Sequence, residues 1–159
     1  MRLGLTLAAS IMILASTAQA DEKAVEPYVQ SDANAGVLPM TTDAVFQAFH
    51  GRDGVDRIVH RLNWFHNHDP RLVDTFKAAD NERLERTLSE MLCYILGGPC
   101  HYTGREMKDL HKDMGVQVFQ LNAQIEDLQT AMSEEHVPVW AQNKLLAKLA
   151  PLKRMIVVR

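Results

Sequence analysis

From residue 42 onward the apolar positions fall into helical stripes, and no segment shows the two-residue alternation of a strand. Val55, Ile58, Val59, Leu62 and Phe65 recur at i, i+3, i+4, i+7 and i+10 and predict a helix capped by Asp53 and broken at Asp69-Pro70. Before it, Thr42 or Asp43 can cap a short helix that runs through Phe49 and ends at Gly51. Pro70 suits the first turn of a short helix reaching Phe76. Asp80 caps a longer helix with the stripe Leu84, Leu88, Met91, Leu92 and Ile95, and Gly97-Gly98-Pro99 stops it. A very short helix around Arg105 to Lys112 ends at Gly115. Val118, Leu121, Ile125, Leu128 and Met132 mark a long amphipathic helix, and Val137-Pro138 opens a last one with Leu145, Leu149, Leu152 and Ile156 inward. The fold class is all-α, with about six or seven helices and no internal repeat. Trp64 and Phe65 are expected in the core or at a subunit contact, and Trp140 in the core.

The first forty residues read differently. Arg2 precedes an uncharged run from Leu3 to Ser16, Ala18-Gln19-Ala20 closes it with small residues, and Asp21-Glu22-Lys23 opens a polar stretch. That is the layout of a signal peptide over residues 1–20, cleaved after Ala20. The run is too short for a membrane span, which needs about 20 apolar residues, so no stable span is expected after cleavage. Export to a periplasm, or secretion, follows. Residues 21–40 mix charge, Pro, Gly and Asn without a period and predict a flexible leader, leaving 41–159 as one folded domain.

Composition narrows the function. The 159 residues carry a formal net charge of −3, which gives no reason to expect nucleic-acid binding. Two cysteines exclude a disulfide-rich scaffold and a four-thiolate metal or iron–sulfur site. Cys93 and Cys100 flank the glycine break, so they form a disulfide in an oxidising compartment or stand as a buried thiol and a loop thiol; both readings stay open.

Chemistry concentrates between Gly97 and Val116, where a rigid glycine-proline break leads into a very short helix carrying His111, with Met107 on the same face at i−4. An imidazole so placed can hold a haem iron if an apolar slot faces it. Gly97-Gly98-Pro99, Tyr102-Thr103-Gly104, Met107, His111, Gly115 and Val116 together resemble the pattern of the truncated haemoglobins, the two-over-two globins, most closely those of group I. Asp69-Pro70-Arg71-Leu72 with Phe76, and Ala150-Pro151-Leu152-Lys153 through Val157, resemble the same family.

The resemblance implies a two-over-two helical sandwich around one non-covalent b-type haem, since no C-x-x-C-H attachment is present. It makes His111 the proximal iron ligand, its other ring nitrogen donating to a carbonyl, and Phe76 the aromatic on the haem face. It places Leu84, Leu88 and Asn63 on the distal side, and Met107, Leu121, Tyr102 and Arg83 around the haem, the last two at its propionates. It further implies binding of dioxygen, nitric oxide or carbon monoxide, and an external reductant for any turnover, by a monomer or weak homodimer. Where the family commonly has Tyr and Gln on the distal side, this chain has Asn63 and Leu88. Leu84 adds no donor and Thr87 is the other nearby hydroxyl, so the expectation is an apolar distal pocket that releases dioxygen quickly.

Two other functions fit the residues less well. A haem dioxygenase or peroxidase-like enzyme needs a positioned distal acid–base group. A non-haem metal-binding module would use His60, His66 and His68, which read more simply as solvated histidines at a helix end, with His101 in a loop.

Overall fold

The computed structural model describes residues 22–157, so the predicted signal peptide lies outside the described residues. Eight α-helices follow one another: α1 (Ala44–Ala48), α2 (Gly51–His66), α3 (Val73–Phe76), α4 (Asn81–Ile95), α5 (Met107–His111), α6 (Val118–Glu134), α7 (Val139–Leu149) and α8 (Lys153–Ile156). Single 3-10 turns span Asp32–Ala35 and Ala150–Leu152, and no strand occurs among the described residues.

Helix α2 occupies the centre. Val55, Ile58, Val59 and Leu62 lie on one face at the predicted spacing and are almost wholly buried. That face packs against both α4 and α6, and α6 in turn packs on α7. The pairs α2/α4 and α6/α7 are the two layers of the sandwich. Burying each of these aliphatic side chains contributes about 1.5–3 kcal/mol, and this one stripe ties two other helices together.

The elements differ from the periodicity at their ends. Helix α2 begins at Gly51, because His50 and Gly51 both turn through the left-handed region (φ 60° and 66°), and Asp53 sits in the first turn where its charge suits the helix dipole. Gly54 is required by close approach: a Cβ there would lie 2.0 Å from the Phe49 carbonyl oxygen at the end of α1. The last predicted helix is two, because Pro151 has no N–H to continue the ladder and the chain tightens into the 3-10 turn before α8. Trp140 and Trp64 are about half exposed, not core residues. Arg61 lies over the Trp64 ring, which stacks on His68.

Residues 22–40 are not the loose leader that their composition predicts. They contain one 3-10 turn, yet specific contacts hold them. Glu22 pairs with Arg86 and Arg83, and the Lys23 N–H donates to Asp80. Tyr28 donates its hydroxyl to the Thr103 carbonyl at 2.7 Å, and Asn34 donates to that of Gly104. Asp32 accepts from the Tyr102 N–H at 2.7 Å, Ala35 is fully buried, and the Met40 N–H donates to the Ile95 carbonyl. Aperiodic segments lack a hydrophobic signature, so hydrogen bonds to residues 60–75 positions away leave no trace in the local pattern.

The same strap braces the loop between α4 and α5. Cys93, buried at the end of α4, is disulfide-bonded to Cys100 with a Cα–Cα distance of 5.8 Å. Gly97 lies between them at φ 83°, where a Cβ would meet the carbonyl oxygens of Thr42 and Met40. Closing so short a loop stabilises the fold by about 2 kcal/mol in the chain-entropy account. Cys100→Ser is therefore expected to lower the melting temperature by roughly 5–10 °C. Calorimetry of that variant beside wild type, with and without reductant, checks this; coincident transitions throughout would contradict it.

Candidate functional site

Helix α5 is one turn long and is held at its N-terminal end. Glu106 caps it by accepting from the Asp109 N–H at 3.0 Å, and Met107 anchors it in the main core. His111, one turn after Met107, places Nδ1 2.7 Å from the Met107 carbonyl oxygen. A carbonyl only accepts, so the proton is on Nδ1 and the lone pair on Nε2. Burial holds the ring well below the ordinary histidine range, with the Met107 bond offsetting part of that shift. The result is a neutral imidazole in a fixed tautomer, the form that a metal takes. Leu110, Met114, Val118 and Phe119, near it in sequence, are exposed apolar side chains.

A second imidazole lies inside the fold. His66, in the last turn of α2, is fully buried, and neither ring nitrogen makes a hydrogen bond. It stacks on Phe76 of α3, with centroids 3.9 Å apart and planes 7° from parallel. Burial pushes its pKa down to about 4, offset slightly by the Gln124 carboxamide beside it on α6. Gln124 Oε1 is likewise buried without a partner, so the two groups adjoin without hydrogen-bonding geometry. One turn earlier on α6, Gln120 donates to the Thr75 hydroxyl at 2.6 Å and fastens α6 to α3. The solvated reading of His66 was wrong. Its signal was present, because position 66 is four residues after Leu62 and continues the buried stripe. His60 and His68 are exposed, turned to Glu85 and to the Trp64 carbonyl. No group of three potential metal ligands occurs among the described residues.

The remaining candidates separate clearly. Phe76, Leu84, Leu88 and Leu121 are all half-buried, whereas Met91, Leu92, Ile95 and Leu128 on the same helices are buried. Asn63 donates Nδ2 to Glu85 at 3.1 Å and leaves its buried Oδ1 unpartnered. The carboxylate fixes the amide that way round, so one of the two Asn63 N–H donors is taken and its oxygen stays unpaired. Thr87 donates its hydroxyl to the Arg83 carbonyl at 2.8 Å, within its own helix. Arg83 is engaged by the Lys23 carbonyl and by Glu22, and His101 by Asp32. Tyr102 is buried and donates to the Arg105 carbonyl. Two surface clefts, of about 650 and 400 Å³, open along α6 and at the glycine break. Neither borders His111.

A model of the bacterial-like globins matches residues 44–158. This chain belongs to that family. Among relatives, it is 35% identical over 66 residues to a group 1 truncated hemoglobin of Tetrahymena pyriformis, covering 42% of this chain and 54% of that protein. It is 25% identical over 109 residues to one of Mycolicibacterium paratuberculosis, covering 69% and 80% respectively. The chain thus spans about half the length of the first of these relatives. The crystal structure of the Tetrahymena pyriformis truncated hemoglobin in its Fe(III) form superposes with a TM-score of 0.69 at 23% identity, over 72% of this chain and 98% of that one. A 2/2 hemoglobin from a Synechococcus species, with covalently attached heme, gives 0.67 at 19% identity, with the same coverage of each chain. The relatives it resembles are group 1 truncated hemoglobins, and its all-helical two-over-two fold agrees with these structural neighbours.

The residues present fit the haem that this family holds. His111 offers a neutral nitrogen, and the half-buried leucines, Leu121 and Phe76 present apolar surface that the protein's own packing leaves incomplete. A buried neutral histidine also has a consequence for stability. The unfolded chain binds a proton at His66 near pH 6.5, whereas the folded chain binds it near 4. Between those values the unfolded state holds more protons, so stability falls as the pH drops through this window, by up to a few kcal/mol. Urea midpoints measured from pH 7 to 4 should therefore decline less steeply for His66→Phe than for wild type. Parallel curves would show that His66 is not buried in its neutral form.

Proposed function

We propose that this globin is exported, binds one non-covalent b-type haem through His111, and reversibly binds dioxygen or another small diatomic gas. The observation that carries this reading is the Nδ1–Met107 bond, which leaves the His111 Nε2 lone pair for the iron in a chain of globin family. When bound, the haem supplies a redox-active iron with an open coordination position. The protein's part is to supply one neutral ligand, to surround the porphyrin with Phe76, Leu84, Leu88 and Leu121, and to keep bulk water out.

Export rests on the signal-like residues 1–20 and is supported by the Cys93–Cys100 disulfide, which persists in oxidising compartments. The paired cysteines are also unavailable for covalent haem attachment. Nitric oxide consumption of the dioxygenase type is the finer role that such a site admits, and it requires a reductant from outside the chain. Reversible gas binding needs only the groups described.

The test is a visible spectrum of the purified mature protein in ferric, ferrous and carbon monoxide states. Wild type should show a Soret band in each, His111→Ala should lose it or retain only weakly held haem, and His60→Ala should match wild type, because His60 is exposed on α2. A colourless wild type that takes up no added hemin, or a His111→Ala variant with an unaltered spectrum, would overturn the proposal.

A further inference from the structure

Two buried polar groups without partners stand side by side in this fold, and each is costly. An unsatisfied buried polar group of this kind destabilises a protein measurably and calls for an explanation. His66 and Gln124 come from different helices, α2 and α6, and meet next to Phe76, the aromatic assigned to the haem face. Gln124 also follows Leu121, another haem-facing position, by three residues on α6, so both side chains look the same way. The positions assigned to the distal side offer few donors: one N–H of the Asn63 amide is taken by Glu85, Leu84 and Leu88 are apolar, and the Thr87 hydroxyl is turned back to its own helix.

We infer that His66 and Gln124 are the polar pair of the distal pocket, with Gln124 as the hydrogen-bond donor to a diatomic ligand and His66 as the residue that positions it. The inference rests on the haem-binding reading above. A neutral imidazole has one N–H and one lone pair. A small rotation lets the His66 N–H donate to Gln124 Oε1, which satisfies two of the three orphaned atoms and fixes the carboxamide. Gln124 Nε2 is then turned toward the gas site with its two N–H donors. The stack on Phe76 holds the imidazole plane, so the carboxamide is held from behind by a rigid ring. The pocket is therefore polar at its α2/α6 end and apolar along α4, which replaces the uniformly apolar pocket expected from Asn63 and Leu88. Bound gases that develop negative charge are retained, and those that do not are released readily.

The experiment compares wild type, Gln124→Leu and His66→Phe, the last of which keeps an aromatic ring on Phe76 while removing both nitrogens. Infrared spectra of the carbon monoxide complexes report the local field directly. Gln124→Leu should move the carbonyl stretch to higher frequency as a single band. His66→Phe should broaden or split it, because the carboxamide is then free to rotate. Dioxygen release, followed by stopped-flow displacement with carbon monoxide, should accelerate roughly ten- to a hundredfold in Gln124→Leu, the factor that one hydrogen bond to a charged acceptor carries. In the haem-free proteins both variants should melt at or above the wild-type temperature, since each removes an unpartnered buried group. Carbonyl stretches and release rates equal to wild type in both variants, with the Soret band intact, would overturn the assignment of the pair while leaving haem binding standing. Absence of a Soret band in wild type would overturn both.

Discussion

The inward face of α2 is the constraint on which the rest of the molecule depends. Val55, Ile58, Val59 and Leu62 are shared between α4 on one side and α6 on the other, so one helix sets the spacing of both layers. The same stripe, extended by a turn, carries an imidazole where an aliphatic residue would have packed without cost. The fold thus accepts His66 and Gln124 as unpartnered polar groups at the junction of α2, α3 and α6, next to the aromatic ring assigned to the haem. Polar groups kept at such a place, against the interest of stability, are the mark of a site and not of a core.

The proximal side is built by a different device. Helix α5 is too short to hold itself in water. It is positioned by what surrounds it: Met107 in the core, contact with α8, and a preceding loop fixed by the Cys93–Cys100 bond and by Asp32, Tyr28 and Asn34 from the N-terminal strap. These contacts determine where the Met107 carbonyl sits, and that carbonyl determines which nitrogen of His111 is free. The tautomer of His111 is therefore set by backbone geometry, with no acidic side chain needed.

The exposed ion pairs play a lesser part. Arg57 and Arg61 meet Glu135 and Glu134 across α2 and α6, and Arg71 reaches Asp69 and Glu126. Such surface pairs each contribute little, but these join elements that the buried stripe has already brought together, and so they favour one register of α2 against α6.

Much of this was legible in the sequence. The 3.6-residue period revealed the long helices, glycine and proline marked their breaks, and the spacing from Gly97 to Val116 drew attention to His111, because these signals are local and a single stretch of chain carries them. Other features were decided only when distant segments met. Residues 22–40 became an ordered strap through bonds to positions far along the chain, Cys93 and Cys100 paired because the glycine turn brought them to 5.8 Å, and Tyr102 was drawn into the core. Whether His66 faced water or Phe76, and which way round the Asn63 amide was held, depended on partners supplied by α3, α4 and α6. A sequence states which groups can donate, accept or ligate, but burial and pairing are properties of the neighbours that folding brings.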